Sequence, residues 1–251
     1  YAKGLANASI DPVAALDSRT AGLPRVALLQ RLAREKEAGV KEVSDALAEI
    51  ASFALARNRV MRCRVSAKPE ACDPAVTQME QFIDALPMKG TDPAADELTL
   101  SQSLASFETS PSKTFVSTPT QTNYCAASYT TVPYSHPDSA PLFLLGQAMS
   151  TSFLHREIRE KGGAYGGGAS AAPVEGVFAF SSYRDPNTTA TVETFQKAAE
   201  WAATEGNLTQ EILEEAWLKA FKAIDAPLAP QSRGASLFTN LMDDERRQTF
   251  R

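Results

Sequence analysis

An arginine and a tyrosine lie on either side of a glycine-rich break, where together they could bind one carbonyl oxygen. In the stretch FLHREIREKGGAYGGG (residues 153–168), Arg159 comes near the end of an amphipathic helix. Tyr165 follows Gly162–Gly163, and glycine commonly ends a helix by turning the backbone left-handed. A guanidinium and a phenol held around one turn can both donate hydrogen bonds to a carbonyl or an oxyanion. A structural interpretation stays open, with a solvated arginine favoured by the helix dipole and a core tyrosine with a hydrated hydroxyl.

Other chemistries fit the sequence poorly. The glycines follow a helix, whereas a phosphate loop precedes one, and no Gly-Lys-Ser/Thr is present. No Gly-x-Ser-x-Gly indicates a serine hydrolase. The two histidines, His136 and His155, do not form a zinc motif, and the cysteines make neither a zinc knuckle nor a disulfide framework. We therefore expect no metal or cofactor in this chain, and buried or half-buried free thiols in a reducing compartment at Cys63, Cys72 and Cys125.

Composition argues against two classes of main partner. The 251 residues are 43% hydrophobic and carry a net charge of −5, which argues against nucleic acid or an anionic membrane. No apolar run is long enough to span a bilayer. No signal peptide opens the sequence, and the start at Tyr1 reads as the middle of a protein, so a targeting segment would lie upstream.

The hydrophobic pattern predicts two units joined by a linker. Residues 1–22 show little periodicity, and residues 88–113 are rich in turn-forming residues, which predicts a solvated connection. In the first unit, residues 1–87, the predicted elements are a helix over 23–38 closed by Gly39, a helix over 40–57, a strand over 59–67 and a helix opened by Asp73-Pro74.

The second unit, residues 114–251, mixes strands and helices, so the predicted fold class is α+β. Its predicted strands cover 115–116, 123–132, 164–170 and 176–183, of which the last two form an antiparallel pair. Its predicted helices run from Pro137-Asp138 through Ile158, over 188–203 after an Asn187 cap, over 210–224 after a Thr209 cap, and from Ser232 toward Met242. The unit ends without the strand and helix that close the first, so it looks truncated.

Four motifs carry a family resemblance. They are TVPYSHPD (131–138), FLHREIREKGGAYGGG (153–168), SYRDPNT (182–188) and DAPLAP (225–230). Together they resemble the C-terminal half of pitrilysin-type (inverzincin, M16) metallopeptidases, in the subfamily that contains presequence protease and falcilysin.

The resemblance implies M16 peptidase-like (LuxS/metallohydrolase-like) domains, each an antiparallel-rich sheet packed against helices. Residues 1–87 would then complete a preceding domain, and residues 114–251 would form a truncated C-terminal domain.

The resemblance also implies a function. In this family two halves close around a peptide, the N-terminal half binds zinc, and Arg159 and Tyr165 match the arginine and tyrosine with which the C-terminal half binds substrate and stabilises the oxyanion. The expected enzyme is an intracellular zinc metalloendopeptidase that degrades unfolded peptides such as cleaved presequences, in the mitochondrial matrix or alternatively in a plastid or digestive vacuole. The expected partners are the peptide and the N-terminal half, without nucleic acid or membrane, and this chain alone should be inactive.

Two alternatives remain at this stage. Some M16-like proteins are non-catalytic structural or processing-complex subunits, although the presence of both Arg159 and Tyr165 argues against that class. The chain could also be an unrelated α+β binding domain with a purely structural glycine turn.

Overall fold

The structure is a computed structural model, which describes residues 1–58, 61–88, 107–110, 112–232 and 234–240. It contains two compact units, Tyr1–Val26 with Phe107–Asp225, and Ala27–Ser106 with Ala226–Arg251. We call them the sheet unit and the helical unit. This grouping joins the first residues of the chain to the second predicted domain. The predicted boundaries at residues 87 and 113 stay a prediction, and most of the predicted linker lies outside the described residues.

The chain begins with helices where its sequence shows little periodicity. They are α1 (Ala2–Asn7) and α2 (Pro12–Thr20), and α3 (Leu23–Glu35) follows within the helix that periodicity predicts over 23–38. The Asp11 carboxylate accepts hydrogen bonds from the backbone N–H groups of Val13 and Ala14, at 3.3 and 2.9 Å, which satisfies donors that a helix start leaves free. Capping chemistry, and not periodicity, therefore indicates α2.

The next helices differ from the prediction at their starts. Helix α4 spans Glu37–Ala54, and the break before it falls at Lys36, whose φ is 51°. Gly39 therefore does not close α3. It lies inside α4, where a Cβ atom would overlap the Leu32 carbonyl oxygen, so this glycine allows the two backbones to approach closely.

Helix α5 spans Pro69–Asp84, so Asp73-Pro74 does not open it. Proline is tolerated at the first helical position, and Pro69 takes that position after Lys68. The predicted strands are also wrong over residues 61–67 and 115–116, which form no strand in the described part of the chain. An alternating pattern forms a strand only where a neighbour pairs with its backbone groups.

The sheet unit contains a three-stranded antiparallel sheet in the order β1-β3-β2. Its strands are β1 (Ala126–Thr130), β2 (Gly166–Ala172) and β3 (Val177–Tyr183). The predicted antiparallel pair is present as β2 and β3, with Gly166 opposite Tyr183. This mixture of helices and an antiparallel sheet confirms the predicted α+β class.

The long helix of the sheet unit changes type along its length. Helix α6 (Ser139–Met149) continues directly as a π-helix over Ser150–Lys161. Of its buried side chains, Ile158 comes five positions after Phe153 and four after Leu154, spacings that the i→i+5 pattern of a π-helix places on one face. The sequence predicts one helix here but does not indicate its π form.

The remaining helices are α7 (Thr189–Ala203), α8 (Gln210–Ile224) and α9 (Ala235–Asn240), with a 3₁₀ turn at Pro230–Ser232. The predicted Thr209 cap is confirmed, because its hydroxyl accepts from Ile212 N at 3.4 Å. The predicted Asn187 cap is wrong, because Thr188 is the N-cap residue. Ser232 lies in the 3₁₀ turn, and Met242 lies outside the described residues.

The core of the sheet unit packs the π-helix and α7 against the sheet. Phe180 of β3 stacks on Phe195 of α7, with ring centroids 5.5 Å apart, and Phe153 of the π-helix stacks on Trp201 at the same distance. Leu154 and Ile158 are also buried in this cluster. The end of the π-helix is therefore held firmly against the sheet.

Candidate functional site

The turn after the π-helix is fixed by its own backbone. Gly163 has a φ of 79°, which favours glycine, and its N–H donates to the carbonyl of Arg159 at 3.0 Å. The N–H of Ala164 reaches back to the carbonyl of Ile158 at 3.1 Å, as in helix-ending motifs with a left-handed residue. Ala164 is buried, so the turn is anchored in the core. Arg159 comes just before this turn, and Tyr165 follows Ala164 directly.

The SYRDPNT segment fastens the same turn from the other side. The amide of Asn187 donates to the carbonyl of Gly162 at 2.8 Å. Asp185 is 0% exposed, and its carboxylate accepts from the Asn187 backbone N–H at 2.8 Å and from the Thr191 hydroxyl at 2.7 Å. Buried carboxylates require such partners. Asp185 and Asn187 are thus structural residues that hold the glycine turn against the start of α7.

Tyr165 lies on the surface beside two residues of that segment. Its side chain is 67% exposed, which excludes a core tyrosine. Its ring meets Tyr183 edge-to-face with centroids 5.7 Å apart, and its backbone N–H donates to the Tyr183 carbonyl at 3.2 Å. The guanidinium of Arg184 lies 6.0 Å from the Tyr165 ring and 5.5 Å from the Tyr183 ring, close enough for cation–π attraction.

Arg159 is exposed near the end of the π-helix and contacts a histidine. Its Nη1 atom lies 3.3 Å from His155 Nε2, and His155 Nδ1 lies 3.3 Å from the Glu160 carboxylate. Neither a hydrogen bond nor a ring contact joins Arg159 to Tyr165 within the described residues. The structure therefore places the two predicted site residues on either side of one rigid turn without direct contact between their side chains.

The other cations of this helical turn are already paired. Glu157 accepts from Lys161 at 2.8 Å and from Arg156 at 2.9 Å. The hydrogen bond from Lys161, helped by that from Arg156, holds the pKa of Glu157 below its usual value. Because Arg159 contacts an imidazole and not this carboxylate, its charge is less compensated than theirs.

Sequence reasoning missed Tyr183, Arg184 and Tyr124 as neighbours of the site. Tyr124 packs edge-to-face on Tyr183 at 5.4 Å, and Arg184 has a φ of 48°, a conformation uncommon for residues other than glycine. The available signal was the SYRDPNT motif combined with strand pairing, since β3 ends beside Tyr165.

Two other kinds of site find no support among the described residues. No group of three or more histidine, cysteine or acidic side chains is arranged there to hold a metal ion. Cys125 is buried, burial raises the pKa of its thiol, and its Sγ donates to the Asn187 carbonyl at 3.6 Å, so it is a poor nucleophile. The predicted burial is wrong for Cys63, which is exposed because residues 61–67 form no strand.

A membrane span requires a long and strongly apolar helix. None of the described helices is long and apolar enough to cross a bilayer.

Comparison with known proteins places this architecture in a family. The PreP C-terminal domain family matches residues 113–251, which include the sheet, the π-helix and the glycine turn. The chain therefore belongs to the PreP C-terminal domain family, and the predicted resemblance to the presequence-protease branch of the M16 metallopeptidases is confirmed.

Similar proteins extend the match over the whole chain. The mitochondrial presequence protease of Xenopus tropicalis is 35% identical over 100% of this chain and 26% of its own length. That of Yarrowia lipolytica is 36% identical over 98% of this chain and 24% of its length, and that of Mus musculus is 33% identical over 100% and 26%. The chain thus spans about a quarter of these relatives.

Proposed function

We propose that this chain is the zinc-free C-terminal half of a zinc metalloendopeptidase of the presequence-protease branch, with the M16 peptidase-like fold. The enzyme would degrade unfolded peptides, such as cleaved targeting presequences. Support comes from the family match and from relatives named mitochondrial presequence proteases along the whole chain. Those names also favour a mitochondrial location, within which we propose the matrix.

One observation carries the proposal. Arg159 and Tyr165 are exposed on either side of a turn that is fixed by its own backbone and by Asn187. Attack of water on a peptide carbonyl builds negative charge on its oxygen, and donors held in advance at that position stabilise it. Arg159 and Tyr165 would bind the peptide and stabilise that charge.

The zinc would belong to another part of the protein. The described residues of this chain offer no set of three ligands, whereas catalytic zinc sites use three protein ligands. We propose that the N-terminal half of the same protein binds the zinc and that the peptide lies between the halves. This chain alone would then hydrolyse no peptide.

Steady-state kinetics on the zinc-loaded full-length protein test the proposal. Arg159→Ala and Tyr165→Phe should each lower kcat by roughly 100- to 1000-fold, the usual cost of one oxyanion donor. Arg159 should cost more than Tyr165, because a charged donor is the stronger one. Arg159→Lys should recover only part of the rate, since an ammonium lacks the planar fork.

Matched controls come from the same unit. Arg156 is an exposed arginine of the same helix that pairs with Glu157, and Tyr129 is a half-exposed tyrosine of β1. Arg156→Ala and Tyr129→Phe should leave kcat nearly unchanged. Wild-type turnover in both Arg159→Ala and Tyr165→Phe, with unchanged melting curves, would refute the proposed roles and favour a non-catalytic M16-like subunit.

A further inference from the structure

We infer that His155 is a positioning residue for Arg159, and that Glu160 fixes the form of the imidazole that does this. The inference rests on the function proposed for Arg159. It adds two residues that contact no substrate and act through the guanidinium.

A chain of two contacts passes through one imidazole ring. His155 Nε2 lies 3.3 Å from Arg159 Nη1, and His155 Nδ1 lies 3.3 Å from Glu160 Oε1. The three side chains belong to the last part of the π-helix, whose buried face is fixed in the core by Leu154 and Ile158. The base of this chain of contacts is therefore rigid, although the groups themselves reach the surface.

One form of the imidazole suits both neighbours, the hydrogen-bond donor of Arg159 and the negative charge of Glu160. A guanidinium has donors and no acceptor, so the ring nitrogen facing Arg159 must accept. The negative charge of the Glu160 carboxylate, whose Oε1 lies 3.3 Å from Nδ1, favours the proton on that nitrogen. The neutral ring protonated on Nδ1 meets both conditions. Glu160 selects this tautomer, and the free lone pair on Nε2 then directs the guanidinium.

The π-helix explains how one histidine reaches both partners. In an α-helix, with 3.6 residues per turn, a residue five positions on points about 140° away, so Glu160 could not contact His155. In a π-helix, residues four and five positions on flank the starting residue on the next turn, since its bonds run i→i+5. The rare helix type thus places Arg159 and Glu160 together above His155.

The choice of an imidazole also preserves the charge of the arginine. In the same helix, Arg156 and Lys161 bind the Glu157 carboxylate directly, an arrangement that uses the cation for an internal ion pair. A neutral acceptor orients Arg159 without neutralising it, which leaves a full positive charge for a substrate oxygen. Because these contacts are exposed, they add little to stability, and their effect should be seen in turnover.

The test uses the zinc-loaded full-length protein with four variants. His155→Leu removes the acceptor, and we expect kcat to fall about 10- to 100-fold with little change in KM, as a misplaced catalytic group does. His155→Gln keeps an acceptor oxygen at similar reach and should stay within about threefold of wild type. In the Arg159→Ala background, His155→Leu should cause no further loss, because the two residues act as one unit. His136→Leu is the control, since that histidine lies beside Asp138 and contacts no arginine within the described residues.

The outcomes separate the two proposals. Wild-type turnover in Arg159→Ala removes the proposed role of Arg159 and with it this inference, and wild-type turnover in Tyr165→Phe as well refutes the proposed function. If Arg159→Ala lowers kcat but His155→Leu does not, only the role of His155 is overturned. The same holds if His155→Leu lowers kcat further in the Arg159→Ala background. If the leucine variant melts early, His155→Asn replaces it, because its amide is one methylene shorter than that of glutamine and cannot reach Arg159. Equal rates for His155→Asn and His155→Gln would then overturn the inference.

Discussion

The sheet unit and the helical unit bury their apolar residues very differently. In the sheet unit, phenylalanines from the π-helix, β3 and α7 close into one core with Leu154 and Ile158. Among the described residues of the helical unit, only Gly39 and Ala56 are buried, and the apolar stripe of α4 is exposed. Both units contain amphipathic helices. The pattern therefore predicts that a helix forms, but a partner surface decides whether its apolar face stabilises the fold.

The largest effect is expected from a pair of alanine truncations, one in the core of the sheet unit and one on the exposed stripe of α4. Phe195 is 1% exposed and stacks on Phe180, so Phe195→Ala should lower the free energy of unfolding by about 3–5 kcal/mol. Leu47 of α4 is 59% exposed, so Leu47→Ala should cost less than about 1 kcal/mol. Urea unfolding followed by circular dichroism measures both. Equal losses would contradict the contrast.

A smaller effect is expected from the buried carboxylate of the sheet unit. Asp185→Ala leaves the Asn187 N–H and the Thr191 hydroxyl without their acceptor, which should cost about 1–3 kcal/mol. The matched change in the helical unit is Asp45→Ala, which removes an exposed pair with Lys41 at 2.7 Å and should be too weak to resolve. Thermal melting compares the two variants. An unchanged melting temperature in Asp185→Ala would show that these hydrogen bonds are dispensable for stability.

Thiol reactivity compares the units without mutation. Burial raises the pKa of the Cys125 thiol, so its reactive thiolate forms only at higher pH than usual, while Cys63 is exposed. At about pH 8, iodoacetamide should label Cys63 in the folded protein and Cys125 only after unfolding. Mass spectrometry of the labelled peptides reports this, and rapid native labelling of Cys125 would be the contrary result.

The smallest effect concerns a surface carboxylate of the helical unit. A hydrogen bond from Arg31 holds the pKa of Glu42 below its usual value. A depressed folded-state pKa adds stability above the unfolded pKa, and this contribution is lost as the pH falls through the folded value. An NMR titration should give a lower pKa for Glu42 in the wild-type protein than in the Arg31→Ala variant. Identical titration in both proteins would exclude the interaction.

The sequence predicts local features of this fold better than long-range ones. The glycine turn, the β2–β3 pair and the Thr209 cap follow from neighbouring residues, and so does the placement of Arg159 and Tyr165 around one turn. The bond from Asn187 to the Gly162 carbonyl joins residues far apart in the chain, and no local rule indicates it.

Two further features depend on competition between similar local structures. The π-helix has no distinct sequence pattern, because apolar positions four residues apart suit an α-helix equally. The pattern over 61–67 suits a strand, but a strand also requires a partner that its own sequence does not specify.

The central place of β3 in the sheet has a consequence for the order of folding. Strands β2 and β3 are joined by a short turn and can pair early, whereas β1 must close a much longer loop across the whole α6 and π-helix segment. During synthesis β3 emerges last of the three strands. Because β1 and β2 each pair only with β3 within this sheet, the backbone groups of both stay unpaired until it emerges. Tyr183 ends β3 and pairs with Gly166, which is the residue directly after Tyr165. We therefore expect the surface around Tyr165 to be completed only when the last residue of the sheet leaves the ribosome.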